Sequence, residues 1–458
     1  MTTQNSAPRP PRALIAMSGG PGQPADAAGR GPDRGGAARL RGAPRRGVSR
    51  ALHCRGNQCI LYKKETHRKG GGGVRYSEAD IQEFINDNDV KFIKFSFCDV
   101  FGSQKIISVL PSVLPRAFAQ GIAVDASRID GFYKPGDSEL FLFPDTDTIS
   151  LLPWRPSHGR VARFYCHIKD EAGQEFAQDG RKILRDAVAY AKERGVKVNF
   201  GAENDFYLFR TDEEGEPTDI PFDSAGFLDE APEDRGEDVR RDICLTLEAM
   251  GIEPQYSQHI SGPGQNRIDF APGPALACAD NVITFRSVVK MMAVRNGLWA
   301  AFSPKPIPDQ AGNGFRIAMR PTRQGESCAD AFLAGVLERF QEMQVFFNPR
   351  EESYERLGTF GAPASVSWAD TGRGALLRRK ADGRLELSAA DGAANPYLAF
   401  SLLIYAGVDG VQRGLSPAGL ETGLPLAATL GEAKARCKES AFLQGLLPRE
   451  ILRAYTGR

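Results

Sequence analysis

Residues 90–97, Val-Lys-Phe-Ile-Lys-Phe-Ser-Phe, largely alternate apolar and polar side chains, the period of a half-buried strand. Ahead of them Ile81, Phe84 and Ile85 recur at helical spacing behind Ser77, whose hydroxyl suits an N-cap. A turn at Asp99-Val100-Phe101-Gly102 leads to a second strand at 105–109, and more strands are expected at 139–143, 149–152 and 161–168. One helix with several short strands makes a small α+β domain over residues 76–170.

Further along the pattern changes. Residues 181–194, 235–250 and 275–297 read as helices. Short runs at 197–201, 205–209, 266–270, 314–319, 365–368, 375–378 and 384–387 read as strands. Asn395-Pro396 starts an apolar helix through Gly407, with proline in the first turn, where its missing N–H is tolerated. No internal repeat is visible. The order predicts an antiparallel sheet flanked by helices, a larger α+β domain over 176–458.

Charge changes this picture at one end. The 458 residues carry a net charge of +1, but residues 1–75 hold 15 Lys and Arg against Asp26, Asp33 and Glu65. The remainder is acidic, at −11, which argues against a nucleic-acid-binding fold. Segment 1–73, rich in Arg, Gly, Ala and Pro, cannot bury enough surface to fold alone and is expected to be disordered. Three readings of it compete: an organellar transit peptide, an Arg/Gly-rich nucleic-acid-binding tail, and a misplaced gene start. The last is preferred, because Lys69 followed by four glycines is what a translated purine-rich ribosome-binding site looks like, with Val74 as the start codon. No apolar run approaches the ~20 residues of a membrane span. The eight cysteines form no CxxC pair, which reads as reduced thiols in a cytoplasmic protein.

The candidate chemistry lies in three places. Glu203 and Asp205, two apart on an expected strand, share one face, and carboxylates among apolar neighbours need cations or other partners. The bland alternative is a solvated strand edge. Residues 253–269 read as strand, Gly/Pro loop and strand; the loop brings backbone close to a ligand, while a lone His259 is more often structural. Arg356, Arg373, Arg378 and Arg384 cluster in sequence and suit carboxylates or phosphates, unless they form a charged solvent face. Ser157-His158 has no partner motif for a nucleophile.

Taken together, residues 76–458 resemble the glutamine synthetases. Val124-Asp125-Ala126-Ser127-Arg128 is similar to the family's Asp-Gly-Ser-Ser loop, and 201–209 to its Gly-x-Glu-x-Glu-Phe signature. Gly264-Gln265-Asn266, Asp280-Asn281, Pro304-Lys305-Pro306, Gly312-Asn313-Gly314, Tyr354-Glu355-Arg356-Leu357 and Asn395-Pro396-Tyr397-Leu398 follow in family order. The resemblance implies a small β-grasp domain beside a large catalytic domain. It also implies subunits in a homo-oligomeric ring, usually a double hexamer, with each active site between two of them. The implied activity joins glutamate and ammonia with ATP, and Mg2+ or Mn2+ clamps the phosphates.

Position by position, the resemblance assigns metal binding to Glu203, Asp205 and Glu386 and places non-ligands at the other metal positions. One missing Glu falls at Ile260, or at His259 with a one-residue gap; another is Arg267; the metal-binding His is Arg316, and Ala318 replaces a second His. Arg356 matches the arginine that holds the glutamate α-carboxylate, but its partner is Ser388. Gly312 keeps a substrate-facing backbone position, preceded by Ala311 instead of Asn. Arg373, Arg378 and Arg384 match phosphate-side arginines, Arg373 in a catalytic role as well. Asp125 matches an ammonium-binding residue that acts across the subunit boundary, with Phe227 in place of that site's Tyr. The flap Glu is missing from 356–363. Three carboxylates against Arg267 and Arg316 leave a charge of −1 where the family has about −5 offset by cations, and guanidinium offers a metal no lone pair. Metal binding is therefore expected to be weak or absent. Two functions follow as expectations: an ATP-dependent carboxylate–amine ligase acting on a glutamate-like acid and an amine, or a non-catalytic homologue serving as a structural or regulatory ring subunit.

Overall fold

In the computed structural model, which describes residues 76–457 apart from 133–138, 156–157 and 373, the chain starts as its capping pattern implies. Ser77 Oγ accepts from Asp80 N at 3.2 Å and Asp80 Oδ2 accepts from Ser77 N at 2.9 Å, a reciprocal cap on the helix Glu78–Asp87. The expectations for the tail 1–75, for Ser157 and for Arg373 lie outside the described residues.

A six-stranded sheet forms the first domain, ordered Gln104–Val109, Val90–Cys98, Arg160–Lys169, Glu139–Pro144, Ile122–Asp125, with Ser150–Leu151 paired to Arg160–Lys169. Val90–Cys98 runs parallel to Arg160–Lys169 and antiparallel to Gln104–Val109. Its alternation buries Ile93 and Phe95.

The second sheet has ten strands. Its path is Trp368–Ala369, Leu377–Arg379, Leu385–Leu387, Phe315–Arg323, Val196–Thr211, Gln265–Pro274, Pro254–His259. Two expectations are corrected here. Residues 197–201 and 205–209 belong to one 16-residue strand, Val196–Thr211, because the polar Glu203-Asn204-Asp205 between them pairs with both neighbours instead of turning. The strand expected at 365–368 reduces to Trp368–Ala369, with only an isolated bridge at Ser365. Two helices, Ala329–Phe347 and Pro396–Arg413, pack closely; a Cβ on Gly335 would lie 2.8 Å from Gly410 Cα, so only glycine fits that crossing. The first of these helices buries 13 of its 19 residues, and Asp330, Glu338, Arg339, Gln341 and Glu342 share its remaining face.

The two sheets are joined through a sealed polar cluster. Arg181, near the start of the helix Gly180–Glu193, donates to both oxygens of Asp280 (3.0–3.3 Å) and to Asp145 at 2.9 Å. Tyr397 Oη donates to Asp280 Oδ1 at 2.7 Å, and Arg163 Nη1 to Thr284 Oγ1 at 2.7 Å. Among the described residues, no helix is long and apolar enough to cross a membrane.

Candidate active site

Strand alternation sends Glu203 and Asp205 to one face of the central strand. Register then decides what meets them. Gln265–Pro274 sets Arg267 opposite Asp205 and Asp269 opposite Glu203. On the other side, Phe315–Arg323 sets Arg316 opposite Glu203. Further along the sheet, Glu386 pairs in register with Ala318 and with Arg378. Five strands, several of them far apart in sequence, therefore bring all three carboxylates and their arginines onto one surface.

The pairs are close. Asp205 Oδ1 accepts from Arg267 Nε at 2.6 Å, and its Oδ2 accepts from Arg267 Nη2 at 3.0 Å and from Gly314 N at 3.0 Å. Arg267 Nη1 lies 3.5 Å from Glu203, and Arg316 Nη1 lies 3.3 Å from the same oxygen. Burial works against the charge on Arg267, but Asp205 and Glu203 outweigh it, and its pKa stands above the ordinary guanidinium value. Glu386 is 5% exposed and accepts from Arg378 Nε at 3.0 Å and from Arg378 Nη2. Lys380 and Arg384 lie 3.5 and 3.6 Å from its second oxygen. Arg378, expected on the phosphate side, is thus paired with Glu386, and the three carboxylates face three paired arginines before Lys380 and Arg384 are counted.

Over this face opens a cleft lined by Arg267, Arg316 and Arg356 and by the apolar Phe227, Ile260 and Phe360. Arg356 is buried and donates through Nη2 to the carbonyls of Ala389 and Ala390. Burial holds its pKa below the ordinary guanidinium value against the pull of Asp391 and Asp205. Gly312 O accepts from Gln265 Nε2 at 3.1 Å, and Ala311 O accepts from Tyr207 Oη at 2.6 Å. Asp125 ends the strand Ile122–Asp125, accepts from Ser127 N and Oγ and from Arg128 Nε, and is not among the residues lining this cleft of its own chain. The Ser127 hydrogen bonds hold its carboxyl below the usual range.

Three features escaped the sequence. Lys380 lies within the Arg378–Arg384 run, and that run was the available signal. Asp269 is two residues beyond Arg267 on the same face; burial, then the Glu203 charge, pushes its carboxyl up to about 6. Below the Gly/Pro loop, His259 Nε2 meets Asp223 at 3.0 Å and Nδ1 faces the carbonyls of Gly226 and Ile260, both at 2.9 Å. Acceptors at both nitrogens favour the imidazolium; burial opposes it, Asp223 prevails, and the pKa lies above the usual histidine value. Asp223 also accepts from Gly264 N at 2.8 Å, so this pair anchors the loop. Asp223 is 36 residues from His259, and nothing local announces the contact.

Comparison with known proteins agrees with this layout. Residues 89–171 match the family described as "Glutamine synthetase, beta-Grasp domain" and residues 177–457 match "Glutamine synthetase, catalytic domain". The glutamine synthetase of Clostridium saccharobutylicum is 40% identical over 362 residues, covering 75% of this chain and 82% of that protein. That of Methanosarcina mazei is 36% identical over 359 residues, covering 74% and 80%. Among solved structures, a complex of GmaS with ADP superposes with a TM-score of 0.74 at 26% identity, covering 82% of this chain and 94% of that one. Plasmodium falciparum glutamine synthetase, seen by cryo-electron microscopy, shares the fold with a TM-score of 0.75 at 19% identity, over 84% of this chain and 95% of that one. With both domain descriptions matched in order and relatives this similar, the chain belongs to the glutamine synthetase family and is built as a ligase of that type.

Proposed function

We propose that this glutamine synthetase-type chain works without the divalent cations of its family. In this reading it does not form glutamine by metal-assisted transfer from ATP, and it serves as a structural or regulatory subunit of a homo-oligomeric ring. The family normally uses ATP and divalent metals. The observation that carries the reading is that each retained carboxylate already has a guanidinium partner: Asp205 with Arg267, Glu203 with Arg316 and Arg267, Glu386 with Arg378. A cation entering there would displace paired arginines and meet their repulsion, and arginine offers it no lone pair. The residues present do not fit a Mg2+ or Mn2+ pair. Without that pair, phosphoryl transfer lacks a charge stabilisation worth several kcal/mol.

A second reading keeps an ATP-dependent carboxylate–amine ligase with a different acid or amine. Asp125, still exposed on the small domain, and Arg384, 45% exposed beside Glu386, favour it. Calorimetry of ATP binding with and without Mn2+ tests the first reading, which predicts equal affinity in both. A strong rise with Mn2+ overturns it. Phosphate release measured with glutamate and a panel of amines tests the second, which fails if no amine supports turnover.

A further inference from the structure

Asp223, Asp234 and His259 form a buried group below the Gly/Pro loop, apart from the paired arginines of the sheet. Their oxygen and nitrogen atoms lie within 4.8 Å of one another, close enough to surround a metal ion. Every carboxylate oxygen is already engaged. Asp234 Oδ1 accepts from Gly236 N at 2.9 Å and from Arg240 Nη1 at 3.0 Å, and its Oδ2 accepts from Arg240 Nη2 at 2.5 Å. Asp223 Oδ1 accepts from Gly264 N at 2.8 Å and meets His259 Nε2 at 3.0 Å, while its Oδ2 accepts from Arg235 N at 3.1 Å. With Arg240 neutralising Asp234, the group suits a proton on His259 rather than a metal ion.

His259 is 1% exposed and sets two ring nitrogens against three acceptors: Asp223 at Nε2, and the carbonyls of Gly226 and Ile260 at Nδ1, both at 2.9 Å. Only the imidazolium carries a proton on each nitrogen. A neutral ring must turn a lone pair on an oxygen. Because the charged Asp223 holds the proton at Nε2, the one that leaves is on Nδ1, and it passes to water. Both carbonyls then face a lone pair. The titratable groups facing the ring are Asp223 and Asp234, the second held by Arg240 from the helix Glu237–Ala249.

Those carbonyls belong to two pieces of the cleft wall. Gly226 precedes Phe227, and Ile260 precedes Ser261; Phe227, Ile260 and Ser261 all line the cleft. Leu228 N donates back to His259 O at 3.2 Å, and Leu228 has a φ of +63°, a left-handed conformation that strains a leucine. The loop is therefore tied under strain to the end of the strand Pro254–His259. The cleft is open to solvent but narrow, about 70 Å3, against roughly 300 Å3 for a small-ligand pocket. A wall must move to admit a ligand.

We propose that His259 is a pH-sensitive clamp on this wall: as an imidazolium it holds the Gly226–Leu228 loop against the strand end, and as a neutral ring it releases it. Burial opposes the charge, but the hydrogen bond and charge of Asp223 outweigh it, so release comes above the usual histidine value of 6.5. The clamp acts whether or not the sheet arginines exclude metal, because it shares no residue with them.

The test is hydrogen exchange by mass spectrometry on the full chain between about pH 6 and pH 9, corrected for the pH dependence of free amides, with the strand Val90–Cys98 as reference. Peptides over residues 224–230 are expected to lose about tenfold in protection relative to that strand. The midpoint should lie above 6.5. His259→Gln cannot change charge and is expected to show the low protection at every pH. Asp223→Asn, nearly isosteric, covers the case in which that variant fails to fold, and is expected to move the midpoint down by about one unit or more. The proposal is overturned if residues 224–230 follow the reference strand at every pH, if His259→Gln keeps the wild-type transition, or if Asp223→Asn leaves the midpoint in place.

Discussion

The chain contains two clusters of carboxylates and guanidinium groups, and they differ in access. Between the domains, Arg181 sits against Asp280 and Asp145 with 5% of its side chain exposed, and Tyr397 closes the far side of Asp280. On the catalytic sheet, Arg316 and Glu203 are 30% and 26% exposed and face an open cleft. Identical chemistry therefore has different consequences. In the first cluster Arg181 and Asp280 are 5% and 10% exposed, so a charge lost there is poorly replaced by water. In the open one a lost guanidinium leaves carboxylates that a soluble cation can reach. The first cluster holds the fold together, and the second sets what the cleft can bind.

The comparison is tested most severely by removing one arginine from each cluster. Arg181→Met leaves Asp280 and Asp145 buried without their partner and is expected to cost about 4 kcal/mol, read from the urea midpoint. Mn2+ should restore none of it. Arg267→Met leaves Asp205 and Glu203 facing the cleft, with Arg316 still beside Glu203, and is expected to cost about 2–3 kcal/mol. Here millimolar Mn2+ should recover a measurable part. Equal losses with no recovery in either variant would show that the sheet cluster is as sealed as the other. The triple variant Arg267→Glu, Arg316→His, Ile260→Glu carries the logic further: it should bind Mn2+ where the wild type does not.

How far the sequence could have announced these clusters follows from the distances involved. The cap at Ser77, the strand at Val90–Cys98 and the shared face of Glu203 and Asp205 are local consequences of spacing, and they were legible. That Arg267 and Arg316 flank those acids follows from strand register, which depends on long-range pairing; the resemblance to a known family supplied it. For Arg378 the match named a phosphate and not Glu386, on which its side chain lies. The Arg181 cluster joins residues about 36 and 99 positions apart and has no motif. The helix Ala329–Phe347 was hidden for another reason: 13 of its 19 residues are buried, and its first two turns after Asp330 are wholly apolar, which weakens the period that marks a surface helix.

A smaller effect separates the two regions by pH. His167 lies 3.6 Å from Asp145 at the edge of the sealed cluster; burial and then the Arg181 charge push it down to about 4. Its folded pKa is below its unfolded value of 6.5, so the unfolded chain takes up the proton first. This group's contribution is complete above 6.5 and is lost as pH falls towards 4. The expected loss from this group is roughly 2 kcal/mol across that window, and His167→Gln should abolish this contribution in urea titrations at stepped pH.

Asp269 sets the opposite slope in an overlapping window, and it is the finest test of the comparison. Burial and the facing Glu203 raise its carboxyl from 3.8 to about 6, so the folded chain holds the proton more firmly than the unfolded one. Stability from this group is present below 3.8 and is lost as pH rises through about 6. Asp269→Asn removes the penalty and is expected to add roughly 1 kcal/mol at pH 7 and nothing near pH 4. Between pH 4 and 6 the two residues oppose each other, so the wild-type curve is flatter than either single variant, and the slopes of His167→Gln and Asp269→Asn have opposite signs. If Asp269→Asn is instead less stable at pH 7, then Asp269 is ionised and paired there, and the sheet cluster holds one more working carboxylate than its arginines neutralise.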